Sequence, residues 1–199
     1  MSYSIILASS SVSRRIIMEN AGIKFISVKS NIDERKVEKS LNLLEKINSA
    51  KIALILAERK ALEVSIRYPD HIVIGCDQTM SLGDNIYHKP NNIIEAEQHL
   101  LDLSGKTHNL SSAYALVKNG KVLRNHISIA QLTMYNLSLD FIRKYLKKIG
   151  NKSLLSIGSY QIEKEGIQLF SSIKGSYFTV VGLPIIELIS DLKKEKIID

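Results

Sequence analysis

The sequence predicts an α/β fold built on a mixed, twisted sheet with flanking helices. Three observations carry that prediction: short apolar runs of strand length, amphipathic segments of helical period between them, and one long alternating hairpin. Helical and strand patterns intermix without a strict repeat, and no low-complexity tract interrupts them.

The elements follow in order. Ile5 to Ala8 is a short apolar run that ends in Ser9, Ser10, Ser11, Val12 and Ser13, and Arg14 to Ala21 then carries Ile16, Ile17 and Met18 before Gly22. This reads as strand, polar loop, helix. Phe25 to Val28 reads as a second strand, followed by a polar connection through Asn31, Asp33 and Glu34. A long helix is predicted from Leu43 to Ser65, because Ala53, Ala57, Lys60, Ala61 and Val64 recur at three- and four-residue spacing, which puts Lys60 on or beside the buried face. Ile72, Val73 and Ile74 continue through Gly75 and Cys76 into Asp77, a run suited to a strand covered on both sides, with Asp77 at its carboxyl end. Gly83, Asp84 and Asn85 form a turn; Pro90, Asn92 and Glu95 mark a capped helix start for Ile93 to Leu101. Alternation through Ser112 to Val117, the Asn119-Gly120 pair, and Val122 to Leu132 predict a hairpin with a type I′ turn. Phe141, Ile142, Tyr145 and Leu146 mark another helix, and Pro184 opens the last one after a glycine-containing stretch from Gly158 to Gly182.

The 199 residues, 45% of them hydrophobic and 24% charged, suit one compact unit spanning 1–199 rather than a disordered or fibrous chain. Any division into lobes is expected near Gly83 to Pro90 or around Ser104 to Lys106. No apolar run approaches the roughly 20 residues that span a bilayer, and Met1 to Ser13 lacks the pattern of a signal peptide, so a cytoplasmic location and no membrane partner are expected. The lone Cys76 excludes an internal disulfide and a multi-cysteine metal site. A net charge of +7 suits a phosphate-handling protein, but it is spread along the chain apart from Lys193, Lys194 and Lys196, so a nucleic-acid partner is not expected.

Several residues could do chemistry. A strand, a run of hydroxyl side chains and a helix headed by Arg14 and Arg15 together make an anion cradle; the plain alternative is a serine cap with surface arginines. Asp77, after an apolar strand, lies where open α/β sheets present ligands, and could hold a cation or draw a proton from water; the alternative is an aspartate capping a turn. Lys60 on an apolar face needs a reason unless it snorkels to water, and Lys89 stands at a helix entrance. Ser104-Gly105-Lys106-Thr107 ends like a phosphate-binding P-loop, but the required glycine five residues before Gly105 is Leu100. An aspartyl-nucleophile phosphatase would need a second aspartate where Thr79 stands. The five histidines show no zinc-ligand spacing, and Tyr114, Tyr135, Tyr160 and Tyr177 could stack on a base or simply pack.

Seven segments occur in one order: Leu7-Ala8-Ser9-Ser10-Ser11-Val12-Ser13-Arg14-Arg15, Asp33-Glu34, Arg59-Lys60-Ala61, Ile74-Gly75-Cys76-Asp77-Gln78-Thr79, Lys89-Pro90, Leu103-Ser104-Gly105-Lys106-Thr107-His108, and Val181-Gly182-Leu183-Pro184. Together they resemble the Maf family of nucleotide pyrophosphatases over nearly the whole chain, with Val12 in place of the proline usual in the opening loop. The resemblance implies an ITPase-like α/β fold of two lobes around a central cleft, a divalent cation (Mg²⁺ or Mn²⁺), and cleavage of a nucleoside triphosphate to monophosphate and pyrophosphate. By position it implies Asp77 as catalytic base, Glu34 and Asp77 toward the metal, and Ser9, Ser11, Arg14, Lys60 and Lys89 on the triphosphate. Ser13, Gln78 and Glu163 fall at the family's selector positions. Gln78 and Glu163 resemble the branch acting on 7-methyl-GTP, and a glutamate can accept from the N1 and N2 donors of guanine. Ser13 matches neither branch.

The expected function is therefore a metal-dependent pyrophosphatase of nucleoside triphosphates, modified ones of the 7-methyl-GTP kind included, that clears them from the nucleotide pool. The alternative is a nucleotide- or nucleic-acid-binding regulator of cell division, needing no metal and releasing no pyrophosphate. A homodimer is left open.

Overall fold

The computed structural model describes residues 4–44 and 47–199. Its strands are β1 (Ile5–Ala8), β2 (Phe25–Ser27), β3 (Ile72–Leu82), β4 (Asn85–Tyr87), β5 (Thr107–Lys118), β6 (Lys121–Met134) and β7 (Phe170–Lys174). Its helices are α1 (Val12–Asn20), α2 (Glu34–Leu44), α3 (Ser49–Arg67), α4 (Ile93–Leu103), α5 (Leu139–Ile149), α6 (Tyr177–Val181) and α7 (Ile185–Lys194), with short 3₁₀ turns between α5 and β7. The strands form one sheet in the order β2-β1-β3-β5-β6-β7, and β4 pairs with β3. β1 runs parallel to β2 and to β3, whereas β4 and β7 pair antiparallel, so the sheet is mixed.

Local chemistry explains most boundaries. Asn92 accepts a hydrogen bond from the Glu95 N–H at the start of α4, while the Glu95 carboxylate reaches back to the Asn91 N–H. Asn119 (φ 46°) and Gly120 (φ 69°) both take the left-handed conformation that the tight β5–β6 turn requires. Two sequence expectations are corrected. The segment after β2 is not a polar connection throughout, because Asp33 accepts from the Lys36 N–H and α2 follows. The helix predicted from Leu43 to Ser65 is instead the end of α2 and a separate α3 capped by Asn48, whose side chain accepts from the Lys51 N–H. The predicted continuity at Glu45 and Lys46 lies outside the described residues.

The chain contacts divide it into two units. The first comprises 1–78, 111–128 and 182–199; the second comprises 79–110 and 129–181. The chain thus changes unit inside β3, β5 and β6 and again after α6, between Val181 and Gly182, not in the polar loops at Gly83 to Pro90 or Ser104 to Lys106. In the first unit, Ile6, Ala8, Val73, Ala115 and Val117 of the sheet pack with Ala61 and Val64 of α3.

In the second unit, Leu100 and Leu103 of α4, Ile142 and Leu146 of α5, and Leu132 and Phe170 of the sheet share one core. His108 is buried there, with its Nε2 2.7 Å from the Tyr160 hydroxyl. Burial pushes its pKa down to about 4 from the ordinary 6.5. The folded protein therefore resists the proton that the unfolded chain accepts, and stability is lost as pH falls from about 6.5 toward 4. Roughly 3 kcal/mol is involved, and urea unfolding midpoints measured across this window should fall accordingly. The His108→Gln variant should lose that part of the slope.

Candidate active site

The parallel ladder decides where the site lies. Its last pair sets Ala8 of β1 beside Gly75 of β3, and beyond it β1 gives way to the serine loop while β3 continues. Asp77 stands two residues past this pair, at the carboxyl end of the parallel section, where open α/β sheets place ligand groups. The strand itself is longer than the sequence predicted and runs on to Leu82, so Asp77 lies within it rather than at its tip.

Alternation along β3 sends Gly75 and Asp77 toward α3. The helix lies so close that a Cβ added at Gly75 would be 2.1 Å from the Ala57 carbonyl oxygen and 2.7 Å from the Ala61 nitrogen. Ala53, Ala57 and Ala61 supply the small side chains that allow this approach. Lys60, one residue before Ala61, is then carried to the carboxylate instead of to solvent. Its Nζ lies 2.5 Å from Asp77 Oδ1 and 2.8 Å from Glu34 Oε1. Lys60 is 8% exposed and Asp77 5%, whereas the Glu34 side chain is half exposed at the start of α2. Burial pushes the Asp77 carboxyl above the usual carboxylate range, against the pull of the Lys60 and Arg14 charges.

The serine loop borders this pair. Ser9 is buried and accepts from the Ser11 N–H at 3.2 Å, and Ser11 caps α1 by accepting from the Arg14 N–H. Helix α1 therefore starts at Val12, and the half-buried Ser13 lies in its first turn. The Arg14 side chain donates through Nε to the Gly182 carbonyl at 2.9 Å, and through Nη1 to the Cys76 carbonyl at 2.8 Å and to Ser9 Oγ at 3.3 Å. Gln78 points to the side of β3 opposite Asp77, where its Nε2 donates to Ser112 Oγ at 3.0 Å. Cys76 is fully buried and its thiol is pushed up to about 11, so it stays protonated and inert near neutral pH.

Of the residues singled out from sequence, Ser9, Ser11, Ser13, Arg14, Glu34, Lys60, Asp77 and Gln78 all belong to the first unit. Lys89 and Glu163 belong to the second, and both are exposed there. Partial burial, and after it the nearby Glu163 charge, pushes the phenol of the half-exposed Tyr177 up. Tyr114 and Tyr160, two of the four possible stacking residues, are buried, with Tyr114 donating to Asp191 at 2.7 Å.

Three further residues lie against these side chains, and of them only Gly182 falls in one of the seven segments singled out from sequence, without a role there. Glu38, one turn after Glu34 and half-buried, has its carboxyl raised by burial and feels the charges of Asp77, Glu34 and Lys60. The four-residue spacing of the two glutamates was the available signal, but it has meaning only once α2 is known. Ser112 and Gly182 carry no such signal, because their partners lie far away in the chain. Among the described residues, no group of three or more potential metal-ligating His, Cys, Asp or Glu side chains is gathered.

In this α/β protein a buried lysine–carboxylate pair thus stands at the end of a parallel ladder, beside the hydroxyl-lined start of a helix. The Maf-like protein model matches residues 4–195. A 7-methyl-GTP pyrophosphatase from Rhizobium johnstonii is 50% identical over all of both chains. A nucleoside triphosphate pyrophosphatase from Rhodopseudomonas palustris is 41% identical over 98% of this chain and 95% of its own. A solved nucleoside-triphosphatase (dITP/XTP pyrophosphatase) from Mycobacterium abscessus aligns over 97% of this chain and 95% of its own, with 11% identity and a TM-score of 0.44. The chain belongs to the Maf family.

Proposed function

We propose that this protein is a nucleoside triphosphate pyrophosphatase that cleaves the bond between the α and β phosphates, with 7-methyl-GTP and related modified nucleotides as its substrates. The observation that carries the reading is the Asp77–Lys60 pair, buried beside the serine loop at the end of the parallel ladder. The names of full-length relatives support the reaction and the substrate class.

In this reading Lys60 occupies Asp77 Oδ1, so Oδ2 takes the proton from water. The water oxygen forms a bond to the α-phosphorus, the bridging oxygen leaves with pyrophosphate, and the proton stays on Asp77. The hydroxyls of Ser9 and Ser11 and the α1 start receive phosphate oxygens, and Lys60 and Lys89 offset their charge. Such chemistry depends mainly on positioning and electrostatics, which suits a site already fixed by the fold.

Glu34 and Asp77 would hold a divalent cation, Mg²⁺ or Mn²⁺. Both are hard oxygen donors, and the Lys60 ammonium pairs with one oxygen of each carboxylate, so the second oxygen of each is not taken by it. A pair of carboxylates matches the preference of Mg²⁺ for a few protein ligands, with substrate phosphates and water completing its shell. When bound, the cation neutralises charge on the phosphates.

Gln78 and Glu163 choose the base: the glutamate accepts from guanine donors, and a glutamine in its place offers a mixed edge. Glu163→Gln combined with Gln78→Thr should shift preference toward pyrimidine triphosphates by about tenfold or more in relative kcat/KM. An unchanged ranking removes both from the selector role. The reaction itself is tested by pyrophosphate release from methylated and unmodified nucleoside triphosphates, with and without a chelator. The expected result is metal-dependent release, fastest with 7-methyl-GTP; orthophosphate as the only product overturns the reading.

A further inference from the structure

We propose that Arg14 is a positioning residue for the hydrolysis rather than a ligand of the triphosphate; the inference rests on the pyrophosphatase reading above. An arginine headed for phosphate would aim its fork of donors into open space. Here Nε and Nη1 are committed to the protein itself: Nε to the Gly182 carbonyl, Nη1 to the Cys76 carbonyl and to the Ser9 hydroxyl.

Each of the three points is tied to the site. The Cys76 carbonyl shares a rigid peptide plane with the Asp77 nitrogen, so fixing that oxygen fixes the start of the Asp77 residue. Ser9 opens the loop before α1 and accepts from the Ser11 N–H, so Arg14 steadies the hydroxyl loop. Gly182 lies 168 residues away in sequence. Its φ of +113° suits glycine, and a Cβ built there would stand 3.6 Å from both Arg14 Nε and Gln78 Oε1. One guanidinium thus ties the acid strand, the hydroxyl loop and the Gly182 turn. A lysine carries the same charge but has no planar fork to satisfy two diverging carbonyls.

The experiment compares Arg14→Ala and Arg14→Lys with the unaltered protein, using 7-methyl-GTP hydrolysis, inhibition by inorganic pyrophosphate, and thermal melting. Positioning requires kcat to fall about 100-fold in both variants, the scale of a small misplacement of reacting groups, while KM and the pyrophosphate inhibition constant stay within about threefold. Added guanidinium ion should restore part of the Arg14→Ala rate, and the lysine variant should be no better than the alanine one. A tenfold rise in KM and in the pyrophosphate inhibition constant, recovery by lysine, or an unchanged kcat overturns the inference. If Arg14→Ala does not fold, Arg14→Lys is read by the same criteria. Loss of the binding kind in an otherwise active enzyme sinks only the role of Arg14, whereas absence of pyrophosphate release from the unaltered protein sinks the functional reading and this inference with it.

Discussion

Asp77→Asn should lower kcat by about a thousandfold and leave KM within a few-fold of its original value. The loss lies in the range of a general base removed from a transition state, and the asparagine keeps the shape but not the proton affinity of the carboxylate. The geometry supports the split. Asp77 is buried between strand and helix, and the serine loop is held by hydrogen bonds that do not involve its side chain. Lys60 also retains Glu34 as a partner at 2.8 Å. Near-normal turnover in a folded Asp77→Asn protein would remove the residue from the chemistry.

Lys60→Met should produce the second largest loss, about 100-fold in kcat/KM, together with a displaced pH profile. Asp77 must be ionised to accept a proton, so the rate rises with pH through its pKa. Burial raises that pKa, and Lys60 exerts the largest opposing pull. Without the ammonium the carboxyl becomes still harder to ionise, and the acid limb of the pH–rate profile moves to higher pH. Methionine fills similar volume without the charge. An acid limb that stays in place would mean that another group controls it.

The sequence revealed those parts of the fold that depend on neighbours in the chain. The Asn119-Gly120 turn, the Asn92 cap and the apolar β1 and β3 runs were legible because each uses a short-range rule. Helix α2 was hidden, since its sequence begins Glu34-Arg35-Lys36 and offers little apolar periodicity at its start. The predicted helix begins at Leu43, inside the end of α2, because apolar spacing continues past Leu43, whereas the Asn48 cap starts α3 afresh. Strand β7 and helix α6 stayed unresolved within the stretch from Gly158 to Gly182, where glycines break every period.

The site followed the same division. Asp77 was visible from its position after an apolar run, and Lys60 from its misfit on an apolar helix face. What they do for each other was not visible, since their 2.5 Å contact depends on how far α3 descends onto Gly75. The partners of Arg14 were illegible for a simpler reason: the sequence shows an arginine near serines and invites a phosphate, but its two carbonyl acceptors carry no side-chain signature. The local physics explains why a lysine and an aspartate can be buried together: each is the other's charged partner.

The central claim, that water attacks the α-phosphorus and pyrophosphate leaves, is tested most directly by hydrolysis of 7-methyl-GTP in ¹⁸O-labelled water with mass analysis of both products. The label is expected in the nucleoside monophosphate alone. Label in the pyrophosphate, or release of labelled orthophosphate with a diphosphate left behind, would contradict it.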